Sequence, residues 1–297
     1  DRSSNFTNVL LLTNTTKGWN LSLTGQLRKE FSDGWFADAS YTFSDGKAVN
    51  DGTSSRAISN WQFNEVPGDP NNAPASRSVH LTRHKVLATA SKQFTYGDRF
   101  ATTISLIYEG RQGRPFSFVY NTPGFASFSA NGDFRGSNDL IFIPESEDQI
   151  VLTSNNWAAF NAFIESHKSL RDRRGQIVPR SSEFQPWINQ VDFKISQRIA
   201  TVGTQFVEFS LDILNFSNLV GRIFGEDSWG IERFASNDAV QAVQFQGFDA
   251  TELANGEIFL RPRLSFDENR FAERDDLFNI SNFNSRWRMQ FGVRYTF

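Results

Sequence analysis

The chain closes on Trp287-Arg288-Met289-Gln290-Phe291-Gly292-Val293-Arg294-Tyr295-Thr296-Phe297. Trp287, Met289, Phe291, Val293, Tyr295 and Phe297 share one parity, and Arg288, Gln290, Gly292, Arg294 and Thr296 share the other. Successive side chains of a strand point to opposite faces, so this stretch makes a ribbon with one apolar and one polar face. A strand of about 9–11 such residues crosses a bilayer as one stave of a β-barrel, apolar toward lipid and polar toward the lumen. A half-buried strand of a soluble sandwich has the same period, so one strand alone does not decide between them.

Working back from that end, the dyad recurs. Trp19, Leu21, Leu23, Gly25 and Leu27 alternate with Asn20, Ser22, Thr24, Gln26 and Arg28. Trp35 to Phe43 and Val86 to Ala90 follow the same rule, as do Phe100 to Tyr108, Val191 to Ile195 and Val207 to Ile213. A weaker segment from Phe6 to Thr13 brings the expectation to eight strands. Ser32-Asp33-Gly34, Tyr96-Gly97-Asp98 and Thr201-Val202-Gly203 read as tight, Gly-containing hairpin turns. The opposite connections, near 46–79, 117–186 and 220–285, are long, and only the stretch from Asn14 to Lys17 makes a short top hairpin. Short turns at one end and long loops at the other are the asymmetry of outer-membrane barrels, with the turns periplasmic and the loops extracellular. The expected fold is all-β, an antiparallel transmembrane β-barrel spanning residues 1–297 as one segment, with Phe297 at the periplasmic rim.

Aromatic placement agrees. Phe31, Phe94 and Phe100 flank the tight turns, and Tyr108, Trp187 and Trp287 lie toward the other strand ends. Two lipid-facing girdles have this arrangement. Many residues of the opposite parity are small: Ser22, Thr24, Ser40, Thr42, Ser91, Thr103, Ser105 and Gly292. Small inward residues suit a wide lumen better than a closed eight-stranded one, which side chains must fill. Of the loops, 46–79 reads as coil. The second gathers Phe116, Phe118, Tyr120, Phe125, Phe128 and Phe134, and predicts a helix over Asn156 to Leu170 with Asn156 as its cap. The third carries Trp229, Phe234, Phe245 and Phe248, then a charged stretch from Glu268 to Asp276. Packing among themselves is the expected role of most of these aromatic residues.

Composition narrows the chemistry. The 297 residues carry a net charge of −3, no Cys, 3 His and 31 Phe. Near-neutral charge gives no reason to expect nucleic acid. No apolar run is long enough for a transmembrane helix. Asp1-Arg2-Ser3-Ser4 has neither the basic nor the apolar region of a signal peptide. His80 and His84 are too few for a zinc site. Asp133, Asp139, Glu145, Glu147 and Asp148 could meet at a calcium ion, though not with EF-hand spacing. No phosphate-binding loop, nucleophile elbow or dinucleotide fingerprint occurs. The expectation is a non-enzyme without cofactor.

Val293, Tyr295 and Phe297 resemble the C-terminal signature of outer-membrane proteins, which the barrel-assembly machinery reads. Leu211-Asp212-Ile213-Leu214-Asn215-Phe216-Ser217-Asn218 looks like the penultimate strand of TonB-dependent receptors. Asn138-Asp139-Leu140-Ile141-Phe142-Ile143-Pro144 is similar to a phrase of their Oar-like and SusC-like branch, found in Bacteroidetes and myxobacteria. Arg174-Gly175, Arg180, Trp187 and the strand from Asp192 to Ser196-Gln197 look like that branch too. Arg83-His84-Lys85 resembles a strand start of the family, with Thr82 where an Asp would stand. The resemblance implies roughly the last eight strands of a barrel of about 22 around a plug. It implies as partners outer-membrane lipid, the plug and N-terminal strands, and the TonB complex, and leaves room for a surface lipoprotein. Neither plug nor TonB box occurs in this sequence. The implied function is transport of a bulky ligand (peptide, protein, glycan or chelate) across the outer membrane. The alternative is a complete eight-stranded barrel with a structural or adhesive role. Pairing of the first and last strands discriminates the two.

Overall fold

The structure, a computed structural model, describes residues 9–122, 129–226, 228–252, 256–271 and 277–297. The chain is mostly strand with few helices. Seven long strands form one antiparallel sheet in sequential order. They are β1 (Trp19–Ser32), β2 (Trp35–Ala48), β3 (His84–Tyr96), β4 (Phe100–Arg111), β6 (Ile188–Ala200), β7 (Phe206–Leu214) and β10 (Arg288–Thr296). The omitted numbers belong to a second sheet: β5 (Pro115–Asn121), β8 (Ala239–Glu252) and β9 (Ile258–Ser265).

Register carries the apolar parity of each strand onto the next. Leu23 faces Phe43, which faces His84, and Ala90 faces Leu106, which faces Phe193. Phe193 faces Ile213, which faces Met289. The dyads read strand by strand therefore merge into one apolar face across the whole sheet. That face is open: Leu23 is 60% exposed, Phe291 77% and Val293 71%. Monomeric soluble proteins rarely leave so wide an apolar surface uncovered. On the other face polar side chains pair across strands, as in Thr24 with Thr42 at 2.9 Å, Ser91 with Ser105 at 2.7 Å and Lys194 with Asp212 at 2.8 Å.

All three expected hairpin turns form, at one end of the sheet. Gly34 and Gly97 take positive φ of 75° and 59°, which a side chain would strain. The strand directions bring Phe297 to this same end.

Three expectations change. The sheet has seven long strands, not eight, because residues 9–18 are not strand and the expected top hairpin at Asn14 to Lys17 does not form. The rest of the expected first strand, Phe6 to Asn8, lies outside the described residues, as do Phe125, Phe128 and residues 272–276. The sheet is also not closed: among the described residues, β1 and β10 each keep one edge without a strand partner. Finally, the first long connection, read as coil, holds short helical turns. Residues 46–79 hold α1 (Ala57–Gln62) and a turn at Pro70–Asn72. The other two contribute the second sheet, in which β5 pairs parallel with β8 and β8 antiparallel with β9.

The connections fold into a cap over the far end, and the hydrophobic core lies there. Phe116, Phe118, Val119, Ile141, Phe160, Ile164, Leu170 and Leu264 are each 0% exposed and pack as one cluster. Full burial of each such side chain contributes about 1.5–3 kcal/mol. The predicted helix is present as α2 (Trp157–Ser166) and α3 (Lys168–Arg171), broken at the extended backbone of His167. Asn156 does not cap it; its side-chain amide donates to Phe266 O at 3.1 Å and ties the helix start to the cap. Among the described residues, no helix is long and apolar enough to cross a membrane.

Candidate functional site

A cavity of about 800 Å³ sits in the cap. The first connection supplies Asn50, Asp51, Asn60, Asn64 and Glu65; Asn138 and Arg180 come from the second, and Asp238 and Gln241 from the third. Its wall is thus assembled from all three long connections, and amide and carboxylate side chains dominate it.

Buried charge organises this wall. Arg180 and Asp51 form an ion pair at 3.5 Å, with side chains only 4% and 5% exposed. Arg180 also donates Nη2 to Ala48 O at 2.6 Å and Nη1 to Asn64 Oδ1. It thereby joins the end of β2 to both the first and second connections. Glu65 accepts from the Ser117 hydroxyl, which in turn accepts from Ser181 N at 2.8 Å. Burial pushes the Glu65 carboxyl up to about 7, against the Ser117 hydrogen bond and the Arg180 charge. On the third connection, Asp238 accepts from Gln185 at 2.9 Å and pairs with Arg114 at 3.6 Å. The site can therefore offer a ligand many hydrogen-bond groups and one carboxyl that titrates near neutrality.

Of the five acidic residues weighed for calcium, only Asp133 and Asp139 come together. Backbone N–H groups occupy them: Arg135 N reaches Asp133 at 2.7 Å and Ala130 N reaches Asp139 at 2.7 Å. Burial pushes the Asp139 carboxyl up to about 6. Glu147 and Asp148 lie apart in the turn Glu147–Gln149, and Glu145 stands beside Gly175. No cluster of three or more metal-ligating His, Asp or Glu occurs among the described residues. His80 and His84 do not share a strand face, since β3 begins at His84. His84 accepts or donates at 2.7 Å with the Tyr41 hydroxyl on the apolar face.

The proposed girdle residues are distributed as follows. Phe94 and Phe100 lie on the apolar face near the tight turns, 47% and 42% exposed. Tyr108, Trp187 and Trp287 lie toward the cap, with Trp187 stacked on His84 at 6.1 Å. Phe31 departs from the pattern. A bulge between Lys29 and Ser32 reverses its parity, and its ring stacks at 5.4 Å on Phe36 of the polar face. Val293, Tyr295 and Phe297 all point from the apolar face of the edge strand, at 71%, 53% and 93% exposure.

Asn215 acquires a physical role. It has a left-handed backbone at φ 52° and caps α4 (Phe216–Phe224). Its amide also donates to Gly230 O at 2.8 Å and Asn284 O at 3.2 Å. Asn218 donates to Trp229 O at 3.1 Å. These asparagines anchor the third connection to the sheet. Glu65 and Ser117 escape sequence reading, because each is a single polar residue with no periodic or motif context. Comparison of the chain with protein-family models, curated proteins and solved structures finds no match.

Proposed function

We propose that this chain is part of the β-barrel wall of a TonB-dependent outer-membrane transporter, and that the cap cavity meets the bulky ligand. One observation carries the reading: a sheet of seven antiparallel strands keeps most of its apolar face exposed and, among the described residues, hangs its large core on loops at one end. In water such a face is a severe liability; in a bilayer it is solvated. The open edges support an arc of a wider barrel over a complete small one, which would need β1 and β10 to pair. The polar face, lined by hydroxyls and ion pairs, suits a wet or plugged lumen.

The absence of Cys allows a direct test in intact cells. Val202 lies in a tight turn and Ser137 in the cap. Ser137→Cys is expected to react with an impermeant maleimide from outside, and Val202→Cys only after permeabilisation. Recovery of the chain in the soluble fraction, or equal labelling of both variants, would sink the membrane reading. Uptake that persists without TonB would sink the transporter assignment alone.

A further inference from the structure

A second cavity, of about 1240 Å³, lies where the cap meets the end of β2. Its wall carries six cations, Lys47, Arg77, Arg83, Lys168, Arg173 and Arg180, of which Arg83 and Arg180 are ion-paired with Asp45 and Asp51, against three carboxylates, Asp45, Asp172 and Glu183. The carboxylates are already engaged. Asp45 pairs with Arg83 at 3.5 Å, Asp172 with Arg171 at 3.7 Å, and Glu183 accepts from Ser169 at 2.9 Å. Among the described residues Arg77 pairs with no carboxylate: its Nη1 donates to the carbonyls of Ser181 at 2.7 Å and Ser182 at 3.3 Å.

Arg77 and Arg83 stand over the same ring, Phe184, at 4.6 and 5.5 Å. The ring face attracts each guanidinium, but two like charges over one ring oppose each other. Burial first, and then the Arg83 charge, lower the Arg77 pKa. The cavity wall is also short of hydrogen-bond partners. Nine buried side-chain polar atoms stand without a partner among the described residues, and five of them belong to this wall. They are Arg83 Nε, Arg180 Nε, Ser181 Oγ, Ser182 Oγ and Gln112 Oε1, of which the first four can donate.

We propose that this cavity binds a phosphate group. A phosphate brings negative charge and several acceptor oxygens, and forked guanidinium donors match it geometrically. Two sources would present this chemistry. Register puts Lys47 and Asp45 on the parity of the apolar face, opposite Trp19 and Leu21, and Trp187 continues that face into the cavity wall. A lipid lying against the face could therefore place its headgroup here; this source rests on the membrane reading above. A phosphorylated soluble molecule could enter from outside, and that source does not.

The test is calorimetric titration of the whole chain, purified from its membrane in neutral detergent, with inorganic phosphate, short-chain phosphatidic acid and phosphatidylcholine of the same chain length. Phosphatidic acid is expected to bind at least roughly tenfold tighter than phosphatidylcholine, and Arg77→Gln and Arg83→Gln each to weaken it by roughly tenfold or more. Lys47→Gln, at an exposed position, reads the same loss should the arginine variants misfold. Phosphatidic acid binding tighter than inorganic phosphate assigns the site to a lipid headgroup; equal binding assigns it to a soluble phosphate. The proposal is overturned if both lipids bind alike, if neither phosphate ligand binds, or if folded Arg77→Gln binds like the parent. A chain that holds phosphate through Arg77 yet fails to enter bilayers keeps this site and sinks the membrane reading instead.

Discussion

The sheet and the cap of this protein are built by opposite rules. The sheet turns its apolar side chains outward and its hydroxyls and ion pairs to the other face. The cap turns Phe116, Phe118 and Phe160 inward to zero exposure, as a water-soluble domain does. Both follow from one principle, that apolar surface seeks the less polar medium. On the membrane reading proposed above, the difference lies in where that medium is: inside the cap itself, but outside the sheet. The two regions should accordingly fail under different insults.

The largest effect is expected in the cap core. Phe118→Ala should cost about 3–5 kcal/mol of cap stability. Limited proteolysis should then cut the long connections while the strands stay protected. Equal loss of protection in both regions would mean that sheet and cap unfold as one unit.

Acidity should act on the cap. Folded Glu65 holds its proton up to about 7, against an ordinary value of 4.5. Its carboxyl therefore costs nothing below pH 4.5, and the cap loses stability as pH rises from there to about 7, by on the order of 3 kcal/mol. Asp139, pushed up to about 6 from 3.8, acts with the same sign in a lower window. Denaturant titrations of cap fluorescence at pH 5 and 8 should differ in midpoint, and Glu65→Gln should narrow that difference. A cap more stable at pH 8 would contradict the burial of Glu65.

In the sheet, Leu23→Arg on the apolar face should cost about 2–4 kcal/mol in a bilayer. Ser22→Ala, one residue away on the polar face, should cost at most about 1 kcal/mol. Urea titration of protein refolded into vesicles reads both. If Leu23→Arg is harmless there, the outward face does not meet lipid.

At the joint between the regions, Asn215→Ala should cost about 1–2 kcal/mol. Loss of the cap and of the two side-chain ties to the carbonyls of Gly230 and Asn284 should free the third connection, visible as faster amide exchange in α4 with β7 unchanged.

The wide sheet was legible because alternation survives in each strand separately. In β10, and in β1 as far as Leu27, every second residue is apolar or glycine, and the tight turns announce themselves by glycine. The cap strands were not legible for a matching reason. β5 reads Pro115-Phe116-Ser117-Phe118-Val119-Tyr120-Asn121 and is buried on both faces over its first six residues, so no polar face marks it as a strand. The misplacement of Phe31 has a local cause as well: a one-residue bulge reverses parity, and nothing in the period records it. Of the cap cavity, Asn138 and Arg180 stood in phrases of family resemblance. Glu65, Asp51 and Asp238 did not, since partners 52, 129 and 53 residues away in sequence define this wall.

By itself, then, the sequence determined the face of each strand and the end at which each turn lies, because both depend on neighbours one to three residues apart. Only the tertiary structure decided that the seven apolar faces coincide, that both sheet edges are open among the described residues, and that the long connections share a core. Those outcomes depend on register and on contacts between distant segments, which a single strand's pattern does not contain. Phe297 shows both sides of this division. Its parity and its place at the tight-turn end follow from the last eleven residues and the turn pattern, and the strand beside it comes from the order of the sheet.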